Sequence, residues 1–366
     1  MIDVPSQWIT QQFQHCTRGN NLWCCDENAL HQIADAQLWP HKPLFVSNRY
    51  DVAQQAKILG FDSHFNDFDL SDIADNSIDQ FFYRISKEKA IVHHLINEAF
   101  RVLKPQGILL LSGQKNEGIK TYIEKASLLL GSEKRIQKDG QHYSSQLSKN
   151  ENYLAKNQNS LTSANRFLED HNYAELRACL GFNEQVIYSK PGQFGWDKID
   201  RGSEFLISEI NKIFTDRSIA IERCLDLGCG YGFLTIASRH LPIKHRVLTD
   251  NNAAALISAQ RNCAHLNLNA EVIASDAGAT IKGNFDLILC NPPFHQGFSI
   301  DGDLTDKFLF SAKQLLAVTG AAYFVVNQFI PLEKKAQSHF KMVKVIAQNK
   351  SFKVVELCKE SRKNLL

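Results

Sequence analysis

Apolar and polar positions in the second half of the chain predict strands and helices in alternation. From residue 224 onward, short apolar runs typical of buried strands are separated by stretches whose apolar residues recur at helical spacing. The predicted strands contain RCLDLGC, HRVLTD, AEVIASD, FDLILC, GAAYFVVN and FKVVELCK, and the predicted helices contain FLTIASRHL, NAAALISAQRNCAHL and DKFLFSAKQLLA. This alternation predicts an α/β fold with a mostly parallel sheet between two layers of helices. A final strand after a long connection is expected to close the sheet in antiparallel orientation.

The first half of the chain repeats this order of elements with different residues. Residues 43–51 predict a strand and a turn, and residues 77–85 occupy the place of FDLILC. Residues 90–114 parallel residues 307–328 as helix, turn and strand. We therefore predict an internal duplication, with coincidence between two α/β sequences as the alternative.

The length of 366 residues suits two domains, which we expect to cover residues 1–184 and 185–366. Between them, the polar stretch 131–165 is typical of a linker or of a long hairpin on the first domain. No apolar run reaches the length of a membrane span, and the start MIDVPSQWITQQFQH lacks the features of a signal peptide. We expect a cytoplasmic protein without a membrane partner.

Charge and cysteine content narrow the classes of partner. A net charge of +2 is small for a dedicated nucleic-acid-binding domain, so contact with a polyanion requires local basic patches. The nine cysteines contain no CxxC pair, and their spacing is not that of a metal site. We therefore expect reduced, mostly buried thiols and no metal.

The run DLGCGYG, residues 226–232, ends a predicted strand in glycines and opens a helix. Gly228, Gly230 and Gly232 permit a tight turn and the close approach of a ligand to the backbone. Amides at the following helix start favour an anionic or carboxylate group. The third glycine comes earlier than in the GxGxxG fingerprint of dinucleotide-binding proteins. These glycines and Asp226 are candidate cofactor-binding residues.

Two acids follow at the ends of the next two predicted strands. Asp250 closes VLTD, where it is placed to accept hydrogen bonds from a ribose. Asp276 closes IASD, where it is placed to accept from an exocyclic amine such as that of adenine. For each acid, the alternative role as the N-cap of the following helix is equally well supported. Because ligands of open α/β sheets bind at the carboxyl ends of strands, the three successive strand ends favour S-adenosylmethionine over a nicotinamide dinucleotide.

The fourth strand ends in CNPPFHQGF, residues 290–298. Asn291 supplies a side-chain carbonyl and Pro292 a main-chain carbonyl, while the prolines fix the backbone and add no competing donor. These two acceptors match the two hydrogens of a planar exocyclic amine. Phe294 is expected to stack on the nucleobase that carries this amine. The interpretation is a clamp that aligns an amine with a methyl donor, with Asn291, Pro292, Pro293 and Phe294 as catalytic candidates. The alternative is a rigid turn.

DLGCGYG with NPPF resembles the amino-methylating branch of class I S-adenosylmethionine-dependent methyltransferases. Residues 188–358 are similar to the ribosomal RNA guanine-N2 methyltransferases of the RsmC/RlmG family, most of all to RsmC, which acts on 16S rRNA. The motifs that carry the resemblance are KPGQF (190–194), DRGS (200–203), DLGCGYG (226–232), NPPFHQG (291–297), NQFIP (327–331) and FKVVE (352–356). The family also carries a diverged methyltransferase-like first half, so the implied fold is two tandem class I (Rossmann-like) domains.

The resemblance also implies roles for individual residues. Gly228, Asp250 and Asp276 are expected to hold the cofactor. The segment Asn291 to Phe294 is expected to hold the target guanine. From the segment before the sheet, Asp200 and Gly202 are expected near the methionine part of the cofactor. The expected substrate contacts are Phe194, Phe294 and His295. Asn251 and Asn252 follow the ribose acid, where the preference of the family is open.

The first half lacks the chemistry of the second. No glycine turn follows PLFVSN, and FFYRISKEK stands in the place of LCNPPFHQG, so we expect no cofactor there. Basic residues follow its strands and are expected either to track an RNA backbone or to form a solvated charged face. These residues are Arg84, Lys87, Lys89, Lys115, Lys120, Lys125, Lys134, Arg135 and Lys138. Structural support of the second half is a further possible role.

The sequence thus predicts a monomeric enzyme that methylates guanine N2 in ribosomal RNA, with 16S rRNA preferred as the substrate. Naked rRNA or an assembly intermediate is the expected partner, because the target base has to leave its helix. Alternatives are a 23S rRNA enzyme of the RlmG type, a DNA adenine or release-factor glutamine methyltransferase, and a non-catalytic RNA-binding assembly factor. The duplicated first half argues against the DNA and release-factor enzymes.

Overall fold

The computed structural model describes residues 3–13, 19–30, 33–34, 39, 41–150, 167–214, 221–293, 295–296, 299–300 and 302–360. The chain divides into two compact units, Met1–Glu175 and Leu176–Leu366. The boundary predicted between residues 184 and 185 falls inside a hairpin of the second unit, between β8 (Arg177–Phe182) and β9 (Gln185–Ser189). No helix among the described residues is both long and apolar enough to cross a membrane.

The first unit contains a seven-stranded sheet in the order β3-β2-β1-β4-β5-β7-β6. Its strands are β1 (Asn21–Cys25), β2 (Leu44–Ser47), β3 (Ser63–Phe65), β4 (Ile78–Arg84), β5 (Leu103–Gln114), β6 (Gln137–Asp139) and β7 (His142–Ser148). Its helices are α1 (Val4–Phe13), α2 (Tyr50–Ile58), α3 (Lys89–Val102) and α4 (Ile119–Leu130). The first five strands pair in parallel, and β7 and β6 continue the sheet in antiparallel orientation.

Apolar residues on both faces of β4 explain why helices cover this sheet on two sides. Successive strand residues point to opposite faces. Phe81 accordingly packs in one core with Leu95 of α3, while Phe82 packs in another with Phe13 of α1. Both phenylalanines are fully buried. A strand with two apolar faces is typical of a parallel sheet between two helical layers.

The second unit contains a sheet with the corresponding order, β12-β11-β10-β13-β16-β18-β17. Its strands are β10 (Ile221–Leu227), β11 (Ile243–Asp250), β12 (Ala270–Ala274), β13 (Phe285–Cys290), β16 (Leu316–Asn327), β17 (Met342–Gln348) and β18 (Phe352–Cys358). Two short strands, β14 (His295–Gln296) and β15 (Ser299–Ile300), form a separate hairpin. The helices are α5 (Arg201–Phe214), α6 (Phe233–Ala237), α7 (Ala253–His265), α8 (Gly302–Leu315) and α9 (Leu332–Ala336).

The core of the second unit follows the same two-sided pattern. Ile288 of β13 packs in a cluster with Leu309 of α8, and its neighbour Leu289 packs in a cluster with Leu206 of α5. The parallel strands β10, β11 and β13 therefore end at one edge of the sheet with their last residues side by side. This edge carries the glycine turn, Asp250 and Asn291, as the sequence predicts.

The matching strand orders confirm the predicted duplication and correct its alignment. The counterpart of β10, which precedes the glycine turn, is β1 and not the strand in PLFVSN, because β1 lies between β2 and β4 as β10 lies between β11 and β13. The strand β1 was missed because its five residues, NLWCC, show no alternation. Its turn reads Asp26-Glu27-Asn28 and contains no glycine.

The polar stretch 131–165 is not a plain linker. Its residues 137–148 contain β6 and β7, which close the first sheet as β17 and β18 close the second. The hairpin alternative is therefore confirmed for this part, although the hairpin belongs to the sheet and does not merely decorate it. The rest of the stretch, from residue 151, lies outside the described residues.

Candidate active site

The glycines after β10 form a turn, as the sequence predicts, and all three have left-handed backbone conformations. The φ angles of Gly228, Gly230 and Gly232 are +76°, +54° and +87°. A Cβ on Gly230 would meet no heavy atom within 4 Å, whereas one on Gly228 would lie 3.0 Å from the ring of Phe308. The backbone at Gly230 therefore faces open space at the edge of the sheet, where a ligand can approach it closely.

Asp250 ties the glycine turn to the end of the neighbouring strand. Its Oδ2 accepts a hydrogen bond from the Gly230 amide at 2.9 Å, and its Oδ1 accepts one from the Asn252 amide at 2.9 Å. The N-cap of α7 is Asn252, whose side chain accepts from the Ala254 amide at 2.8 Å. The alternative role of Asp250 as the helix cap is therefore wrong, and the half-buried carboxylate keeps acceptor capacity toward the edge.

Asp226 lies beneath the glycine turn and not at the open edge. It is 1% exposed, and its Oδ2 accepts from the Thr235 amide at 3.0 Å and from the Thr235 hydroxyl at 2.8 Å. Its Oδ1 has no hydrogen-bond partner within the described part of the chain. Burial raises the pKa of Asp226 to about 7. In this position the carboxylate holds the start of α6 against the end of β10.

Asp276 follows β12 and forms an ion pair with a lysine of α8. The distance from its Oδ2 to Nζ of Lys307 is 2.7 Å. Its backbone carbonyl accepts from the Ala279 amide, so a tight turn follows the strand. An amine that binds the Asp276 carboxylate therefore shares it with Lys307. The sequence did not indicate this ion pair.

Asn291 ends β13 with its side-chain amide held in one orientation. Its Nδ2 donates to Oδ2 of Asp200 at 2.8 Å and to Oγ of Ser203 at 2.9 Å. A carboxylate only accepts hydrogen bonds, so the amide nitrogen has to face Asp200 and the amide oxygen has to point away. Within the described residues, this oxygen accepts no hydrogen bond.

The remaining residues of the NPPF motif are described in part. Pro292 is buried and Pro293 is exposed. Phe294 lies outside the described residues, and His295 is described only through its backbone in β14. The predicted contacts of these two side chains therefore stay predictions.

The segment 190–200 connects β9 to α5 along the same edge. Gln193 is 3% exposed, and its Nε2 donates to Oγ of Ser258 in α7 at 2.6 Å. The Asn252 side chain donates to the Gly192 carbonyl at 2.7 Å. Phe194, which follows these anchored residues, is 82% exposed. The chain is thus held directly before a ring that projects into solvent.

Gly202 permits the close packing around Asp200. A Cβ at this position would lie 3.0 Å from Oδ2 of Asp200 and 3.2 Å from the ring of Phe352 in β18. Asp200 also accepts a hydrogen bond from the Ser203 amide at 2.9 Å, which satisfies a free amide in the first turn of α5. The structure therefore brings Asp200, Gly202 and Asn291 into one contact group, separate from the group of Gly230 and Asp250.

Several residues that hold the site give no signal in the sequence. Ser203 stands in the DRGS motif, but a serine next to a glycine gives no signal of a contact with residue 291. Gln193 and Asn252 are buried polar side chains that join the segment 190–200 to α7, and only the fold shows this. Thr235, the partner of Asp226, lies in the predicted helix FLTIASRHL, but a helical pattern does not show which buried side chain a threonine contacts.

The described cysteines and carboxylates do not form a second site. Burial raises the pKa of the Cys290 thiol, which precedes Asn291, so this thiol is a packing residue. The other described cysteines are free thiols and are mostly buried, as expected. Among the described residues, no group of three or more His, Cys, Asp or Glu side chains has the arrangement of a metal site.

The corresponding edge of the first unit contains a buried ion-pair network. Arg84 ends β4, and its side chain is 2% exposed. Its guanidinium donates to Asp3 at 3.0 Å and to Glu117 at 2.7 Å. Burial and the nearby Glu27 carboxylate raise the pKa of Asp26 to about 6. The expected contact of Arg84 with an RNA backbone is therefore wrong, because its charge is already compensated inside the protein.

Two other basic residues of the first unit also have acidic partners. Nζ of Lys134 lies 3.2 Å from Oε2 of Glu124, and a guanidinium nitrogen of Arg135 lies 2.8 Å from Oε2 of Glu133. Both pairs are exposed to solvent, where such pairs contribute little stability. They fit the alternative of a solvated charged face.

The candidate site lies in a part of the chain that matches a known protein family. Residues 184–356 match the family model of the methyltransferase small domain. The matched range begins in the hairpin before the segment 190–200 and ends in β18, so it contains all the candidate cofactor- and substrate-binding residues of the second unit. The candidate site therefore lies entirely within the region that matches this domain.

Curated relatives match over about half of the chain. The ribosomal RNA small subunit methyltransferase C of Actinobacillus succinogenes is 37% identical over 174 residues, 47% of this chain and 50% of that protein. The protein of the same name from Haemophilus influenzae strain Rd is 38% identical over 171 residues, 46% of this chain and 50% of that protein. The chain thus spans about half the length of the curated relatives it matches.

A solved structure extends the likeness to both units. The 16S rRNA N2 G1207 methyltransferase (RsmC) of T. thermophilus, in complex with AdoMet and guanosine, has a TM-score of 0.77 and 21% identity. The alignment covers 96% of this chain and 92% of that chain. Two tandem Rossmann-like domains, with mostly parallel sheets and an antiparallel closing strand, are therefore confirmed as the fold class.

Proposed function

We propose that this chain transfers a methyl group from S-adenosylmethionine to the exocyclic N2 amine of a guanine in ribosomal RNA, with 16S rRNA as the substrate. The observation that carries the proposal is the fixed amide of Asn291. Its nitrogen is held by Asp200 and Ser203, so its oxygen is left to accept a hydrogen bond from a planar amine. The match of residues 184–356 to the methyltransferase small domain and the similarity to small subunit ribosomal RNA methyltransferases support the same reaction.

The residues at the edge of the second sheet fit this cofactor. The open backbone at Gly230 admits a ligand, and the half-buried Asp250 beside it has acceptor capacity for ribose hydroxyls. Asp200 has a second carboxylate oxygen for the methionine ammonium group, and Asp276 lies at the next strand end for the adenine amine. When bound, S-adenosylmethionine supplies a methyl group on a positively charged sulfur. Asp226 supports the turn from below.

Asn291 and the prolines align the target amine. The Asn291 oxygen and the Pro292 carbonyl accept the two amine hydrogens, so the nitrogen lone pair is directed out of the plane of the base. As the nitrogen gains positive charge during transfer, the two acceptors stabilise it more strongly than they stabilise the neutral amine. The proton becomes acidic only after transfer, and solvent water removes it. Alignment is therefore the main contribution of the protein.

The substrate has to present the guanine outside a base-paired stack. The N2 amine of a paired guanine lies in the minor groove, and a clamp with acceptors on both hydrogens requires the base to be flipped or unpaired. This requirement favours naked rRNA or an assembly intermediate of the small subunit as the partner. We propose that the chain acts as a monomer in the cytoplasm, where such RNA is found.

We propose that the first unit binds no cofactor and supports the second. The turn after β1 carries Asp26 and Glu27 in place of the glycines after β10. Arg84, at the end of β4, is held by Asp3 and Glu117. An arginine at this strand end donates hydrogen bonds and accepts none, so it has no means of holding an amine.

The experiment that tests the function is methyl transfer from labelled S-adenosylmethionine to separate, unmodified 16S and 23S rRNAs, followed by nucleoside analysis. Label in N2-methylguanosine of 16S rRNA is the expected result. Label only in 23S rRNA would assign the enzyme to the large subunit. Transfer only to DNA or to a release factor would overturn the RNA substrate. Cofactor binding without transfer to any of these would favour a non-catalytic RNA-binding assembly factor.

A further inference from the structure

Two exposed phenylalanines stand out at the edge that carries Asn291. Phe329 is 91% exposed and Phe194 is 82% exposed, more than any other large apolar side chain among the described residues. Burial of a phenylalanine stabilises a fold by about 1.5–3 kcal/mol, and these two rings contribute almost none of it. Their exposure therefore calls for a reason outside the folding of the chain.

Phe329 is presented on a well-anchored loop. The Gln328 amide donates to the Ser351 carbonyl at 2.9 Å, and the Ile330 amide donates to the Asn327 carbonyl at 3.0 Å. Ile330 packs against the core, and Leu332 is fully buried. The ring is thus held in solvent between two fixed points of the backbone.

Contacts connect this loop to the clamp. Asn327, at the end of β16, pairs with Phe352 of β18. The ring of Phe352 lies against Gly202, whose neighbour Asp200 holds the Asn291 amide. The Phe329 loop therefore lies on the same edge of the sheet as Asn291, with Phe352 and Gly202 between them.

A basic residue accompanies the ring. Lys350 is exposed and precedes Ser351, the residue that accepts the hydrogen bond from Gln328. Within the described residues it forms no ion pair. The loops that carry Phe329 and Lys350 are joined by the hydrogen bond from Gln328 to Ser351. Proteins hold single-stranded RNA with exposed aromatic rings, on which bases stack, and with lysines, which contact phosphates.

We propose that Phe329 and Lys350 form a subsite for a nucleotide next to the target guanine in single-stranded RNA. The base stacks on the Phe329 ring, and the Lys350 ammonium meets a backbone phosphate. The proposal rests on the proposed function and adds a substrate contact that lies outside the clamp and the cofactor residues. This subsite gives the enzyme affinity for the unpaired strand around the target guanine.

The test compares steady-state methyl transfer to unmodified 16S rRNA by the wild-type chain, Phe329→Ala and Phe329→Tyr. Because stacking contributes about 1–3 kcal/mol per base, Phe329→Ala should raise the KM for RNA about five- to a hundredfold. The kcat at saturating RNA, the cofactor Kd and the Tm should stay at wild-type values. Phe329→Tyr keeps a stacking ring and should retain a KM close to wild type.

Two further variants test whether the effect depends on the position of the apolar side chain and on the charge of Lys350. Val318→Ala removes an exposed apolar side chain, 61% exposed, from the amino end of β16 on the opposite edge, and should change neither KM nor kcat. Lys350→Gln should lower the magnitude of the slope of log KM against log salt concentration by about 0.7, the contribution of one phosphate contact in a single strand. An unchanged slope would overturn the role of Lys350.

An unchanged KM in Phe329→Ala, with an active wild-type chain, would overturn the subsite and leave the proposed function standing. A loss of activity only on protein-containing particles would assign Phe329 to a protein contact and overturn the RNA subsite. A wild-type chain that methylates no RNA would overturn the proposed function and the subsite with it.

Discussion

The side-chain nitrogen of Asn291 donates a hydrogen bond over 2.8 Å to Oδ2 of Asp200, 91 residues earlier in the chain. This contact determines which end of the amide faces the open edge of the sheet. Without a carboxylate there, the amide oxygen and nitrogen exchange places at little cost, and the site presents a donor where it needs an acceptor. Asp200 therefore acts on the target amine through Asn291.

Asp200→Asn should lower kcat at saturating cofactor about tenfold, the effect of about 1.4 kcal/mol lost from a charge-assisted hydrogen bond. An asparagine at this position can accept or donate, so it no longer fixes the orientation of Asn291. It retains the ability to cap α5, and the Tm should change little. Steady-state kinetics with rRNA and thermal unfolding check both parts.

Ser203→Ala is the matched variant for this contact. It removes one acceptor of the Asn291 nitrogen and leaves the Asp200 carboxylate in place. We expect a decrease in kcat of about two- to twelvefold and an unchanged cofactor Kd, because a neutral hydrogen bond contributes about 0.5–1.5 kcal/mol. A kcat at the wild-type value in both variants would show that the orientation of Asn291 does not limit transfer.

Asp250→Ala should weaken cofactor binding about a hundredfold, as measured by isothermal titration calorimetry. The change removes the acceptor proposed for the ribose and the partner of the Gly230 and Asn252 amides. Asp276→Asn serves as the comparison, because it retains an acceptor at the third strand end, and its effect should stay below about tenfold. Equal effects at the two positions would contradict the assignment of the ribose to Asp250.

The sequence predicts the sheet well where strands are long and apolar. Strands β4, β10, β11, β13, β16 and β18 and helices α3 and α7 follow from their patterns. In contrast, β1 and β17 were not identified, because the five residues of β1 lack alternation and β17 is only half-buried along its length. Missing β1 shifted the alignment of the two halves by one strand, which only the strand order in the sheet could correct.

Stability should depend on pH through Asp226. Burial raises its pKa to about 7, above the ordinary value of 3.8. A raised pKa means that the folded state binds the proton more tightly than the unfolded state. The resulting stabilisation is fully present below about pH 4 and is lost as pH rises through 7.

Asp226→Asn isolates this dependence. The amide oxygen can still accept from Thr235, but the side chain no longer ionises. Urea unfolding at pH 5 and pH 8 should show that the wild-type chain loses more free energy of unfolding across this interval than the variant does. Identical changes in the two chains would mean that Asp226 titrates normally in the folded protein.

Arg84→Met should destabilise the first unit by about 3–5 kcal/mol, because it leaves buried carboxylates without their cation. The side chain of Glu117 is only 4% exposed and depends on this arginine. The double variant Arg84→Met with Glu117→Gln should recover part of the loss. Urea unfolding of the three chains checks this, and a double variant no more stable than the single one would contradict the electrostatic explanation.

The candidate site could be predicted from the sequence as a set of strand ends but not as a set of contacts. Gly230, Asp250 and Asn291 follow from motifs at the ends of β10, β11 and β13. The partners Ser203 and Gln193 lie outside these strand ends, and no local pattern indicates which residue they reach. Arg84 was misread for the same reason, because a basic residue in a sequence does not reveal that Asp3 and Glu117 surround it.

The most direct test of the account compares tritium transfer from labelled S-adenosylmethionine to 16S rRNA by the wild-type chain and Asn291→Ala, with the cofactor Kd measured on the same preparations. Label in N2-methylguanosine is expected with the wild-type chain, and a loss of at least about a hundredfold in kcat with an unchanged Kd is expected in the variant. Transfer by Asn291→Ala at the wild-type rate, or label at another atom of the base, would contradict the role of Asn291 as the acceptor for the guanine amine.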